Sequence, residues 1–147
     1  MMKPLSTFMA AAILALAMQV ASAADEKPYS DGPVVNVSYI KTKPGQFDAY
    51  IKYLGTTYRD LMEEQKKAGF VLNWSVYRAQ PRSPHDPDLV LTVTYKNWAA
   101  LDGIADRAEA SQKKIYSTRA GIAKAQVDRE SLRELIGSED VQQLILK

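Results

Sequence analysis

Cysteine is absent from the chain, and histidine occurs once, at position 85. The first absence excludes disulfides, thiolate nucleophiles, cysteine-ligated metals and a lipid-modified cysteine anchor. The second removes the usual general base. One histidine inside the loop Pro81–Pro87 does not easily serve a Ser-His-Asp triad, and no Gly-x-Ser-x-Gly elbow accompanies it. His85, Asp86 and Asp88 place three candidate ligands in four residues, but Pro87 separates them and no second cluster completes a metal site. Turn-building residues explain that stretch better, as a solvated loop. No glycine-rich phosphate loop or dinucleotide fingerprint occurs, so neither a metal nor a cofactor is expected. Charge of one sign is also lacking: 19 basic against 17 acidic residues give +2, which provides no basis for nucleic acid or an anionic membrane as partner.

Long apolar runs are scarce, and the one present is terminal. Lys3 precedes an apolar stretch from Leu5 to Val20, and Ala21-Ser22-Ala23 supplies small residues at the end of it. This is the pattern of a secretory signal peptide over residues 1–23, giving a periplasmic or secreted protein with no membrane contact after cleavage. Taking 23 residues from 147 leaves 124, and removing Lys3 leaves 18 basic against 17 acidic residues, a charge of +1. That length suits one domain with a single core. Without disulfides, packing alone must hold it in an oxidising compartment. Residues 24–33, with Pro28, Gly32 and Pro33, read as a flexible lead-in to a domain over 34–147.

The clearest pattern lies between Phe70 and Tyr95. Leu72, Trp74 and Val76 alternate with Asn73, Ser75 and Tyr77; beyond the proline-rich loop, Leu89, Leu91, Val93 and Tyr95 alternate with Val90, Thr92 and Thr94. Two strands with one apolar side form a hairpin that something must cover. Val34 to Lys41 alternates as well, with Val35, Val37 and Tyr39 expected on the covered side and Asn36 and Ser38 on the other. Lys43-Pro44-Gly45 ends that strand. Phe47, Tyr50, Ile51, Leu54, Tyr58, Leu61 and Met62 then follow helical spacing up to a C-terminal cap at Gly69. The aromatics of this stripe are expected in the core.

Asn97 is a good N-cap for two or three helical pieces between Asn97 and Ile136. Asp128 is expected to cap the last, with Leu132, Leu135 and Ile136 on its buried side and Gly137 as its stop. Val141 to Lys147 would form a short final strand. The charged runs Glu63–Lys67 and Lys113-Lys114 read as solvated helix faces.

The order β-α-β-β-α-β predicts an α+β fold, a four-stranded antiparallel sheet with helices on one face in the ferredoxin-like arrangement. That order, with the phrases Lys43-Pro44-Gly45-Gln46-Phe47-Asp48-Ala49-Tyr50 and Tyr95-Lys96-Asn97-Trp98-Ala99-Ala100-Leu101-Asp102, resembles the dimeric α/β-barrel superfamily, including NIPSNAP-like, EthD-like and antibiotic-biosynthesis-monooxygenase-like domains. The resemblance covers about residues 34–147. It implies a homodimer with its sheets face to face and a cavity between them. Asn36, Ser38, Asn73, Ser75, Tyr77, Thr92 and Thr94 would then face a polar lumen suited to a small polar or aromatic molecule.

Tyr77 would place a phenol near Asn73 and Asn36, able to donate to a substrate oxygen. Haem-degrading members use an asparagine, a tryptophan and a helix-borne histidine. Asn36 matches the first, and Trp74 and Trp98 are available, but the sole histidine lies in a loop and that activity is not carried over. Catalytic residues are not identifiable. Alternatives to simple ligand binding are a cofactor-independent monooxygenase or isomerase using the same surface, and a non-catalytic envelope or stress-related interaction protein. A two-layer monomer whose polar face is only solvated is the remaining possibility.

Overall fold

The structure, a computed structural model, describes residues 26–147; the expected signal peptide lies outside the described residues. Four strands, β1 (Tyr29–Thr42), β2 (Asn73–Arg78), β3 (Leu89–Tyr95) and β4 (Arg133–Leu146), form one sheet in the order β2-β3-β1-β4. All neighbours are antiparallel. With helical segments after β1 and β3, this is the ferredoxin-like α+β arrangement. Among the described residues, no helix is long and apolar enough to cross a membrane.

The first helical segment runs as α1 (Phe47–Tyr53), a π-helical turn (Leu54–Tyr58) and α2 (Arg59–Lys67). Gly69 follows with φ +86, the left-handed conformation that stops a helix without cost to a residue lacking Cβ. After β3, the Asn97 side chain accepts from the Ala100 N–H at 3.0 Å and caps a short 3-10 turn, Trp98–Leu101. Next come α3 (Ile104–Tyr116) and α4 (Arg119–Leu132). Thr118 caps α4 by accepting from the Gly121 N–H at 3.0 Å.

All these helices lie on one side of the sheet, where Ile40, Leu89, Leu91 and Val93 meet Tyr50, Leu54, Tyr58 and Leu61, with Ile104, Ile115 and Leu132 packed against them. The hairpin sets this orientation. Leu89, Leu91, Val93 and Tyr95 are buried while Val90, Thr92 and Thr94 are half-buried. At about 1.5–3 kcal/mol per large apolar side chain, inverting β3 would forfeit about 6–12 kcal/mol.

Three sequence expectations need correction. β1 begins at Tyr29, not Val34: Tyr29, Ser30 and Asp31 pair with Leu146, Ile145 and Leu144, so the ladder occupies much of the expected lead-in. Its facing is also opposite to the reading from alternation. Residues paired across an antiparallel ladder share a face. Asn36 lies opposite Val93 and Ser38 opposite Leu91, so both are on the helix side, and Val35 and Val37 join Thr94 and Thr92 on the other. Val34 and Ile40, both fully buried, anchor the strand in that sense.

Finally, α4 ends at Leu132 and β4 starts at Arg133. Leu135, Ile136 and Gly137 are therefore strand residues, and Asp128 sits inside α4 paired with Lys124 at 2.6 Å. Leu135 is 50% exposed, so its apolar spacing with Leu132 does not mark a buried helical face.

Candidate functional site

Five of the seven expected site residues fall together. Asn73 pairs with Thr94 and Ser75 with Thr92, while Tyr77 pairs with Val90. All five are on the face opposite the helices, and Tyr77 is 55% exposed. The adjoining half of this face differs in character. Val35 pairs with both Thr94 and Val141, and Val37 with Thr92 and Glu139. One half of the surface thus presents hydroxyls and an amide, and the other a valine patch flanked by Tyr39.

Tyr39 donates to Glu139 Oε1 at 2.6 Å. The hydrogen bond to that carboxylate, followed by desolvation, holds the phenol above its ordinary value of 10.0. The polar half offers Tyr77, Asn73, Ser75, Thr92 and Thr94 as donors and acceptors. Such groups orient a ligand by hydrogen bonds, with Tyr77 able to supply a phenolic proton.

Asn36 and Ser38 do not join this group. Asn36 Nδ2 donates to Asp140 Oδ1 at 2.9 Å and Ser138 Oγ at 3.1 Å, and the Ser38 hydroxyl donates to Asn36 Oδ1 at 3.3 Å. These bonds satisfy the polar pair on the helix side, which explains how it occupies positions otherwise suited to apolar residues. Ser138 and Asp140 were missed by sequence reasoning because β4 was expected to begin only at Val141. Alternation alone contained no signal for their pairing across the ladder.

The remaining candidates are held by local structure. Asp86 accepts from the Arg82 and Ser83 backbone N–H groups at 2.8 and 2.9 Å, closing the loop that carries His85. The Arg82 backbone bond leads the effects that hold its carboxyl below the ordinary value. Asp88 accepts from the Thr42 backbone and hydroxyl, tying the hairpin loop to the end of β1. Trp74 Nε1 donates to Glu63 at 2.8 Å and Trp98 Nε1 to Gln142 at 2.9 Å. Both indoles therefore have structural partners on the helix side.

The fold recurs in solved structures. Protein SO0527 from Shewanella oneidensis aligns over 80% of this chain and 96% of its own, at 16% identity and a TM-score of 0.50. A dimeric ferredoxin-like protein from an uncultured marine organism aligns over 80% and 98%, at 12% identity and a TM-score of 0.50. HapK from Hahella chejuensis aligns over 75% and 91%, at 16% identity and a TM-score of 0.49. At these identities the likeness is one of fold alone, and the two structures at a TM-score of 0.50 share the ferredoxin-like α+β arrangement described above. No protein-family model matches the chain, and no curated protein sequence does.

Proposed function

We propose that the protein is exported, pairs with a second copy through the sheet face opposite its helices, and holds a small polar or aromatic molecule beside Asn73, Ser75, Tyr77, Thr92 and Thr94. The observation that carries this reading is the division of one face. Val35, Val37 and Val141 offer a patch to a partner sheet, while the neighbouring amide and hydroxyls offer hydrogen bonds. Closely packed apolar side chains can hold two sheets about 10 Å apart, and polar rows remain available to a ligand between them. The description of one structural neighbour as a dimeric ferredoxin-like protein supports the pairing. Export rests on the charged, apolar and small-residue pattern of residues 1–23.

Light scattering on residues 24–147 is expected to give twice the chain mass, and native mass spectrometry of protein from its host a small molecule bound to the dimer. Ser75→Trp should displace that molecule without dissociating the pair. A clean monomer would overturn the proposal; a dimer with no ligand would favour the envelope interaction reading. The oxygenase or isomerase alternative uses the same surface, with Tyr77 as proton donor. It requires that Tyr77→Phe slow oxygen uptake or isomerisation in a quinol panel, and no turnover by either form would count against it.

A further inference from the structure

A recess lies inside the helical layer, on the opposite side of the sheet from the proposed ligand surface. It is half open to solvent and offers about 170 Å³, similar in volume to the roughly 150 Å³ of a closed engineered cavity that binds benzene. Leu61 and Ile122 provide apolar wall, and Tyr53 and Tyr116 provide aromatic surface. Unlike a dry cavity, it also contains two guanidinium groups, those of Arg129 and Arg133.

The route by which Arg133 reaches this place is part of the observation. Along β4, Ser138 pairs with Ser38 on the helix side, but Ile40 pairs with Leu135, so a bulge inserts one extra residue between them. The bulge restores the helix-facing side to Leu135 and Arg133; without it Glu134 would take the parity that Arg133 holds. Bulges recurrently re-aim side chains in this way.

The two cations lack carboxylate partners: among the described residues neither takes part in an ion pair. Arg129 donates through Nη2 and Nε to the Tyr50 hydroxyl at 3.2 and 3.4 Å. Its guanidinium lies 5.6 Å from the Tyr53 ring centre and 5.4 Å from that of Tyr58. Arg133 Nε is buried without a hydrogen-bond partner. Burial first, and then the charge of Arg129, lower the Arg133 pKa from its ordinary value. Burial pushes the Tyr53 and Tyr58 phenols up to about 12, so both remain neutral beside the cations. Two neighbouring positive charges with unused N–H donors form an unfinished electrostatic arrangement, because the one carboxylate whose charge reaches Arg133, that of Glu130, makes no ion pair with it.

We infer that this recess is a second binding site, for a small carboxylate with a single-ring or compact apolar body, held through its carboxylate by Arg133 and Arg129. The planar guanidinium fork matches a carboxylate in geometry and charge. Tyr53, Leu61 and Ile122 line the space for the rest of the ligand, and its volume suits a body of about one ring.

Calorimetric titration of the chain 24–147 with benzoate tests this, alongside benzyl alcohol and inorganic phosphate. Saturable 1:1 binding of benzoate is expected, with benzyl alcohol at least about tenfold weaker because it lacks the charge. Arg133→Gln should weaken benzoate at least about tenfold while retaining the native circular dichroism spectrum. Arg133→Lys, which keeps charge but loses the fork, should recover only part of the loss. No benzoate binding, equal binding of benzyl alcohol, or an unchanged affinity in Arg133→Gln would each overturn the site, leaving the arginines as packing elements. Phosphate binding as tight as benzoate would overturn the assignment of ligand class. If Arg133→Gln fails to fold, benzoate protection of the Arg133 guanidinium from phenylglyoxal in the unaltered chain decides, and absence of protection refutes the proposal.

Discussion

Tyr50→Phe isolates one hydroxyl in the helical layer. Tyr50 is fully buried, and its ring stacks on Tyr53 with centres 5.8 Å apart, so phenylalanine preserves the packing. The loss is the acceptor for Arg129, contacted at 3.2 Å by Nη2 and at 3.4 Å by Nε. The longer contact is near the limit of useful bonding, so the work reduces to one hydrogen bond to a charged group, about 1.5–3 kcal/mol. For a domain of this size, that corresponds to a melting temperature lower by about 5–10 °C. Urea unfolding followed by tryptophan fluorescence should show a lower midpoint with an unchanged slope. In an Arg129→Met background the same substitution should cost much less, since the donor is gone. An effect under about 0.3 kcal/mol, or equal losses in the two backgrounds, would refute the assigned role of the Arg129–Tyr50 contact.

Other expectations follow from single positions. Gly69→Ala should destabilise by about 1 kcal/mol in urea: φ is +86, and a Cβ there would have no neighbour within 4 Å, so only backbone strain contributes. Gly121→Ala should cost more than Gly69→Ala in the same assay, because its Cβ would lie 2.6 Å from the Tyr116 carbonyl oxygen. Val37→Lys should halve the mass seen by light scattering without altering circular dichroism, since the lysine gains Glu139 as a cross-strand partner within each copy. Glu109 is held below its ordinary 4.5 by Lys113 and then Arg119. Its contribution to stability is therefore present above about that pH and lost as acid protonates the folded carboxylate. Thermal scans should show a smaller decline between pH 6 and pH 3 for Glu109→Gln than for the unaltered chain.

β3 and most of the first helical stripe were legible because their patterns and packing agree, whereas Leu72 and Ile51, expected on the covered sides, are exposed and Val71 is buried instead of Leu72. In β3, every second residue is large and apolar, and the stripe Tyr50, Leu54, Tyr58 and Leu61 meets that side. β1 was not legible to the same degree, because it carries apolar residues in both alternating sets. Val35, Val37 and Tyr39 look the stronger set in isolation. The ladder instead buries Val34 and Ile40, and Ser138 and Asp140 satisfy the polar residues between them.

The end of α4 was ambiguous for a related reason. Leu132, Leu135, Ile136 and Gly137 fit a helix with a glycine stop, yet long-range pairing with β1 takes the last three into β4. Local spacing could not reveal that partner, nor the bulge that directs Arg133. Thus the five residues of the hairpin's polar face were identifiable as a group, whereas the two arginines beneath the helices required the fold.

Because the chain contains no cysteine, a spin label at Thr92→Cys has a unique attachment point. Electron spin resonance distance measurement on the chain 24–147 tests most directly whether two copies meet through the face bearing Thr92. Sheets packed about 10 Å apart should bring the labels within roughly 30 Å, while labels at Lys113→Cys on α3 should lie farther apart. No coupling between Thr92 labels, or closer approach of the Lys113 labels, would contradict the proposed dimer and the ligand surface that depends on it.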